Sequence, residues 1–274
     1  MAGIEAVVFD TDGVVTDTAV VHAAAWKRLF DAFLAQRSRE EGRRLEPFDE
    51  VGEYLALVDG KPRYDGVRSF LAARGLELEE GAPSDAPGAE TVCGLGNAKD
   101  EYFREALASG GVRVFADTVR LLDRLTAAGV AVAVVSASRN ARPVLTEAGV
   151  LDRFAVVVDG VDSDRLGLAG KPDPALFLTA AREIGLPPGA TAVVEDAVSG
   201  VAAGRRGGFG AVIGIDRVGH AAELRAAGAD VVVPDLDVIG VEGRTGSVAV
   251  GVALTVDDGA AVGDHGSATT GELR

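Results

Sequence analysis

The chain has 274 residues, 47% hydrophobic and 25% charged, and its 27 Lys plus Arg against 42 Asp plus Glu give a formal charge of -15. That length holds one large domain or a core with a smaller insertion, and the acidic balance argues against a general nucleic-acid or anionic-membrane surface while allowing a local cationic pocket. One cysteine, Cys93, permits no intrachain disulfide or thiolate cluster, and the three histidines, His22, His220 and His265, are too far apart in sequence for a zinc-like spacing.

Met1-Ala2-Gly3 leads straight into an apolar run at 4–9, suited to a buried strand, with no basic region and secretory core ahead of it. Residues 20–35, VVHAAAWKRLFDAFLA, carry helical composition and spacing, and the polar stretch QRSREEGRR follows at 36–44. Further helices are predicted over 49–58, 64–74 and 98–108. Between the last two, GLELEEGAPSDAPGAETVCG at 75–94 reads as an exposed loop.

From 112 onward the pattern alternates. Helices are predicted at 117–128, 141–148, 174–185, 198–206 and 219–227, and strands at 131–136, 155–158, 191–196, 211–215 and 230–233. This is the signature of a parallel α/β sheet whose strand order in space is not readable. The expected architecture is a Rossmann-like core from 1–17 and 110–235, with a helical cap inserted over 18–109. A tail, 236–274, is expected to be largely irregular, with at most one edge strand within GSVAVGVALTV at 246–256. No apolar run reaches the length of a membrane span, and a cytoplasmic protein is the expectation.

The first strand runs into FDTDGVVTDT, residues 9–18. Aspartates gathered at 10, 12 and 17 repel one another unless a cation, protons or solvent offset the repulsion. In an open parallel sheet, reactive groups collect beyond the carboxyl ends of strands. Asp10, Ser136, Glu195 and Asp196 fall at such ends, and Lys171 opens KPDP just before a helix. Mg2+, a hard oxygen-liganded cation, would suit Asp10, Glu195 and Asp196 with the Asp12 backbone carbonyl and waters. Lys171 and the Ser136 hydroxyl suit the oxygens of a transferring phosphoryl group. Asp10 is then free to act as nucleophile, and Asp12 to move the proton at the substrate oxygen. Read singly, each feature has a plain structural alternative: an Asp-Gly turn, a Ser helix cap, a solvated lysine, acids opening a helix. The ordered set of four points to phosphoryl chemistry.

That set, DTDG at 10–13, SAS at 136–138, KPDP at 171–174 and ED at 195–196, resembles the motifs of the haloacid dehalogenase superfamily. FDTDGVVTDTAVVHAAAWK at 9–27, DGKPR at 59–63, GNAKDEYF at 96–103 and SASRN at 136–140 narrow the resemblance to its β-phosphoglucomutase-like family. The resemblance implies an Mg2+-dependent enzyme in which Asp10 is phosphorylated, Asp12 is the general acid-base group, Thr18 is the cap hinge and His22 approaches Asp12 on cap closure. It further implies that Lys99 faces the site and that Arg63, Ser138, Arg139 and Asn140 bind the substrate's non-transferring phosphate. A phosphorylated sugar is the expected partner, and interconversion of β-glucose 1-phosphate and glucose 6-phosphate the expected reaction; self-association is left open, a monomer included. Asp59 stands where the mutase pattern has lysine, Gly66 replaces a small hydroxyl residue, and 77–92 is an acidic, Pro/Gly-containing insertion. These departures bear on the sugar and on isomerisation. A sugar-phosphate phosphatase using the same Asp10, and a non-catalytic sugar-phosphate-binding protein on the same scaffold, both remain open.

Overall fold

The computed structural model describes residues 3–243 and 252–256. Its centre is a six-stranded sheet of β1 (Ala6–Asp10), β2 (Ala131–Val135), β3 (Val156–Val158), β4 (Thr191–Glu195), β5 (Ala211–Ile215) and β6 (Val231–Val233), in the order β3-β2-β1-β4-β5-β6. All neighbours run parallel. Runs such as AVAVV and AVIGI form these strands because β-branched side chains suit a pleated surface, and near-continuous apolar runs suit a sheet covered on both faces. Successive side chains alternate between the faces. Val7, Phe9, Val134 and Ile213 pack with Leu121, Leu122 and Leu125 of α4 (Ala116–Ala127). Val8, Val135, Val193 and Val212 pack instead with Leu176 and Phe177 of α7 (Ala175–Ile184) and with Val201 of α8 (Val198–Arg206). The register sets Asp10 beside Val135 and Glu195 beside Gly214, so the carboxyl ends finish along one edge.

Between β1 and α4 the chain leaves the sheet to build a helical cap from α1 (Ala19–Glu41), a π-helical turn (Tyr54–Val58), α2 (Arg63–Arg74) and α3 (Val92–Gly110). It has its own apolar centre around Trp26, Phe30, Phe48, Val67 and Phe70, with the Phe30 and Phe70 rings stacked at 3.7 Å between centroids. Gly66 lies against the indole, where a Cβ would come within 2.8 Å of Trp26 Cζ2. The small hydroxyl residue replaced there would meet the same wall.

Several expectations are corrected. α1 runs through part of the polar stretch to Glu41, because Gln36–Glu40 and Arg37–Glu41 pairs support its solvated end, and Gly42 stops it in the left-handed region. The helix expected over 49–58 starts only at residue 52 and runs into the π-helical turn Tyr54–Val58. α3 begins six residues earlier than expected, with Thr91 as N-cap accepting from the Gly94 amide at 2.9 Å and Val92 and Leu95 buried in the cap. A helix absent from the sequence reading, α6 (Gly160–Leu166), is opened by a capping box between Asp159 and Asp162. The remaining core helices are α5 (Ala141–Glu147) and α9 (Ala221–Ala227).

The tail is more ordered over its described residues than expected. β7 (Ile239–Gly243) pairs antiparallel with β8 (Val252–Val256) in a separate two-stranded sheet. Leu236 and Ile239 are fully buried in the α4 side of the core, and the Leu236 amide donates to Asp117 at 2.8 Å. Arg124 adds bonds to the carbonyls of Leu236 and Ile239. Buried apolar groups and paired backbone account for this docking, which the low local periodicity concealed. The rest of the tail, His265 included, lies outside the described residues. Among the described residues, no helix is long and apolar enough to cross a membrane.

Candidate active site

The loop after β1 folds back on itself so that two carboxylates point the same way. Thr11 donates its hydroxyl to the Val135 carbonyl, and the amides of Val15 and Thr16 both bond to the Thr11 carbonyl at 2.9 Å. The amide of Asp12 donates to Asp10 Oδ2 at 3.0 Å. Gly13 turns the chain at φ +83°, and a Cβ there would fall 1.7 Å from Asp196 Oδ2. The turn and the approach of the Asp196 carboxylate therefore both require glycine.

Asp10 is 5% exposed and receives Lys171 Nζ at 2.5 Å; the same ammonium bonds Glu195 Oε1 at 2.5 Å. The other oxygen of Glu195 accepts from the Ala197 amide at 2.6 Å. Oxygens of Asp10, Glu195 and Asp196 lie within 4.8 Å of one another. Burial pushes the Asp10 carboxyl well up, Lys171 opposes it, and Glu195 and Asp12 add to it. Asp196 is likewise raised by burial and by Asp59, Glu195 and Asp10. Burial lowers the affinity of Lys171 for its proton, but Asp10 and Glu195 outweigh it and the lysine is held firmly protonated. Three carboxylates around one ammonium remain short of positive charge. A hard cation fits this donor set, and glycine at 13 clears the space beside Asp196.

Asp12 is arranged differently. Its Oδ1 accepts from Thr18 Oγ1 at 2.5 Å, and its Oδ2 from Ser136 Oγ at 3.2 Å. His22 Nε2 lies 3.3 Å from Oδ1 without hydrogen-bond geometry. Burial raises its pKa, but His22, the Thr18 hydroxyl and Lys99 together outweigh burial and hold the carboxyl below the usual carboxylate range. His22 Nδ1 touches Lys99 Nζ, and its ring stacks on Phe103 at 3.9 Å. Burial pulls Lys99 down to about 8 despite the pull of Asp12 and Asp100 in the other direction. Neighbouring carboxylates are thus placed in opposite electrostatic settings, the usual way to separate the roles of two acids.

A cavity of about 270 Å³ between cap and core is lined by Asp10, Asp12, His22, Arg63, Lys99, Ser138, Arg139, Lys171 and Asp196 among others. Ser136, Glu195, Thr18 and Asn140 are not on that lining; Ser136 and Thr18 bond Asp12, Glu195 bonds Lys171, and Asn140 Nδ2 donates to Asp100 Oδ1 at 2.7 Å. Arg139 is half exposed and pairs with Asp164 at 3.5 Å. Some lining residues had no role in the sequence reading. Asp100 bonds both a cap arginine and a core asparagine, and no local signal marks it. Asp59, noted only as a charge reversal, is raised to about 6 by burial and by Glu195, with Tyr54 opposing. Behind the wall, His220 Nε2 donates to the Asp196 carbonyl at 2.8 Å and so braces that segment from the β5 side.

Gly13→Ala should weaken Mg2+ binding about 10- to 100-fold, the scale of disturbing groups that orient ligands. Calorimetric titration of the variant with Mg2+ checks it; an unchanged affinity would mean that the Asp196 carboxylate does not need its present place.

The parallel sheet, inserted cap and carboxylate crevice define a metal-assisted phosphoryl-transfer enzyme. The profile of the haloacid dehalogenase-like hydrolases matches residues 4–208. A β-phosphoglucomutase from Mycobacterium bovis is 52% identical over 237 residues, covering 85% of this chain and 90% of that one. One from Bacillus subtilis is 30% identical over 210 residues, 76% of this chain and 82% of the other. In fold, a β-phosphoglucomutase from Clostridium difficile superposes with a TM-score of 0.64 at 24% identity, over 85% of this chain and 92% of that one. The chain belongs to the haloacid dehalogenase superfamily, in its β-phosphoglucomutase-like family. Its chemistry is Mg2+-dependent phosphoryl transfer.

Proposed function

We propose that the protein interconverts β-glucose 1-phosphate and glucose 6-phosphate through a phosphoaspartate at Asp10. One observation carries this reading: a single cavity has Lys171 beside Asp10 and also Arg63, Ser138 and Arg139 on its lining, giving handles for two phosphates. The similarity to the Mycobacterium bovis β-phosphoglucomutase supports the same reading. In it, residues 1–17 and 110–235 form the catalytic core, 18–109 the cap, and Thr18 the hinge.

With Asp10 phosphorylated, the sugar binds between cap and core, and Arg63, Ser138, Arg139 and Asn140 hold its existing phosphate. Asp12 takes the proton of the free sugar hydroxyl as that oxygen bonds to phosphorus and the bond to Asp10 breaks. The bisphosphate turns over in the cavity. Asp10 then attacks the other phosphorus, and Asp12 returns the proton to the departing sugar oxygen. Lys171 and Ser136 hold the phosphoryl oxygens during both transfers. His22 and Lys99 keep Asp12 ionised and ready to accept a proton. Mg2+, held by Asp10, Glu195, Asp196 and the Asp12 carbonyl, supplies positive charge to the carboxylates and the phosphoryl group when bound. Closure of the cap keeps water from the phosphoaspartate. Cytoplasmic placement belongs to the same reading, since one buried cysteine makes no demand for an oxidising compartment.

The deciding assay supplies Mg2+ and a sugar bisphosphate as primer and follows isomer and inorganic phosphate together. Isomer is expected; phosphate without isomer would make the protein a phosphatase. Arg63→Ala should reduce isomerisation about 10- to 100-fold, as loss of a charged hydrogen-bond partner does. Hydrolysis of a simple aryl monophosphate should fall by much less, and equal losses would remove Arg63 from the distal phosphate.

A further inference from the structure

The handles for the second phosphate are already engaged by the chain's own carboxylates. Asp100 on α3 of the cap pairs with Arg63 Nη1 at 3.2 Å and accepts from Asn140 Nδ2, at the start of α5 in the core, at 2.7 Å. It also takes Arg104 Nε at 3.2 Å. Asp164 pairs with Arg139 in the same cavity. Each cationic handle thus faces one carboxylate. Of the two, Asp100 is the better placed to matter, because its side chain is 18% exposed whereas that of Asp164 is 65% exposed, where solvent screens the pair. Asp100 also joins cap to core through Asn140. Arg63 also donates through Nη2 to the Tyr64 hydroxyl at 3.1 Å, and its Nε is buried without a hydrogen-bond partner, so Asp100 is the anion its guanidinium meets.

We propose that Asp100 is a specificity-determining residue of the distal subsite, a resident anion that occupies Arg63 and Asn140 until a substrate phosphate replaces it. This inference rests on the reading of Arg63 as a handle for the second phosphate. A phosphate dianion offers more charge and more acceptor oxygens than one carboxylate, so it can win the exchange. A neutral sugar hydroxyl cannot. Asp100 therefore discriminates against ligands that lack the second phosphate, and it weakens phosphate binding relative to a subsite left cationic. It also holds the cap against the core when no substrate is present, through a bond that the incoming phosphate must break.

The test is a titration of the full-length, Mg2+-loaded protein with inorganic phosphate, read by fluorescence of the one tryptophan, Trp26, which lines the cavity. Wild type, Asp100→Asn, Arg63→Ala and the double variant form a cycle. Asp100→Asn should bind phosphate about two- to fivefold more tightly, the scale of one partly exposed charge pair. Asp100→Ala should shift it the same way, and the gain should vanish in the Arg63→Ala background. Weaker binding in Arg63→Ala with no gain in either Asp100 variant would overturn the inference while leaving the distal-subsite reading intact. No change in Arg63→Ala would remove that reading, and the inference with it. A gain that persists without Arg63 would show that Asp100 repels phosphate elsewhere in the cavity, and would also overturn the proposal.

Discussion

Asp10→Asn should abolish turnover, by at least about 10⁴-fold, the scale on which removal of a catalytic nucleophile acts. An amide oxygen is a poor nucleophile, and its phosphorylated form has no counterpart in the cycle. The substitution is nearly isosteric. The asparagine oxygen can still accept from Lys171, which donates to Asp10 Oδ1, but the side-chain nitrogen cannot accept from the Asp12 amide, so that one bond is lost. The variant also relieves repulsion, because Asp10 is raised by burial and by Glu195 and Asp12. It should fold at least as stably as wild type below saturating Mg2+. The measurement is acid-quenched labelling with a phosphoryl donor alongside isomer formation. Wild type should yield an acid-stable, hydroxylamine-sensitive phosphoprotein and the variant none. Ordinary turnover in pure variant protein would assign the nucleophile to another residue.

Lys171→Met should cost about 3–5 kcal/mol of stability at neutral pH without divalent cation, because it leaves buried carboxylates without their ammonium. Lys171 is 3% exposed, Asp10 5% and Glu195 fully buried, so solvent offers little relief. The sign with pH follows from the direction of the Asp10 shift. Its folded pKa is raised above the unfolded value of 3.8, and losing Lys171 raises it further. A group raised in the folded state favours folding below its unfolded pKa, and that contribution is lost as pH rises through the folded pKa. The penalty of the substitution should therefore be small near pH 4 and full above neutrality. Mg2+ should recover stability in the variant more than in wild type, since it supplies the missing positive charge, while activity stays low. Urea unfolding at both pH values, with and without Mg2+, measures all three effects. A loss independent of pH and of Mg2+ would mean that Lys171 does not stabilise through its charge on these carboxylates.

Much of this protein is legible in its sequence. Valine-rich runs read as buried parallel strands, and strand ends placed Asp10, Glu195 and Asp196 on one edge, where the sheet indeed brings their oxygens within 4.8 Å. Local chemistry suffices there, because short near-continuous apolar runs and their terminal polar residues repeat the same rule in each strand. α1 and α3 extend beyond their periodic segments, since polar pairs and early glycines weaken a periodic signal that tertiary packing restores.

Other features were decided only by the folded chain. The weak periodicity after residue 236 predicts a largely irregular tail, yet Leu236 and Ile239 complete the core beside α4. Asp12 and Asp10, two residues apart and chemically alike, acquire opposite proton affinities because burial prevails at Asp10, with Glu195 adding to it, whereas His22, the Thr18 hydroxyl and Lys99 outweigh burial at Asp12. Asp100 meets Asn140 across forty positions, a contact with no local sequence pattern. The sequence by itself determined which groups stand at the carboxyl edge of the sheet, because strand periodicity is a short-range property. Only the tertiary structure decided their charge states and their partners, because burial and Coulomb interactions depend on what the rest of the chain brings within a few ångströms.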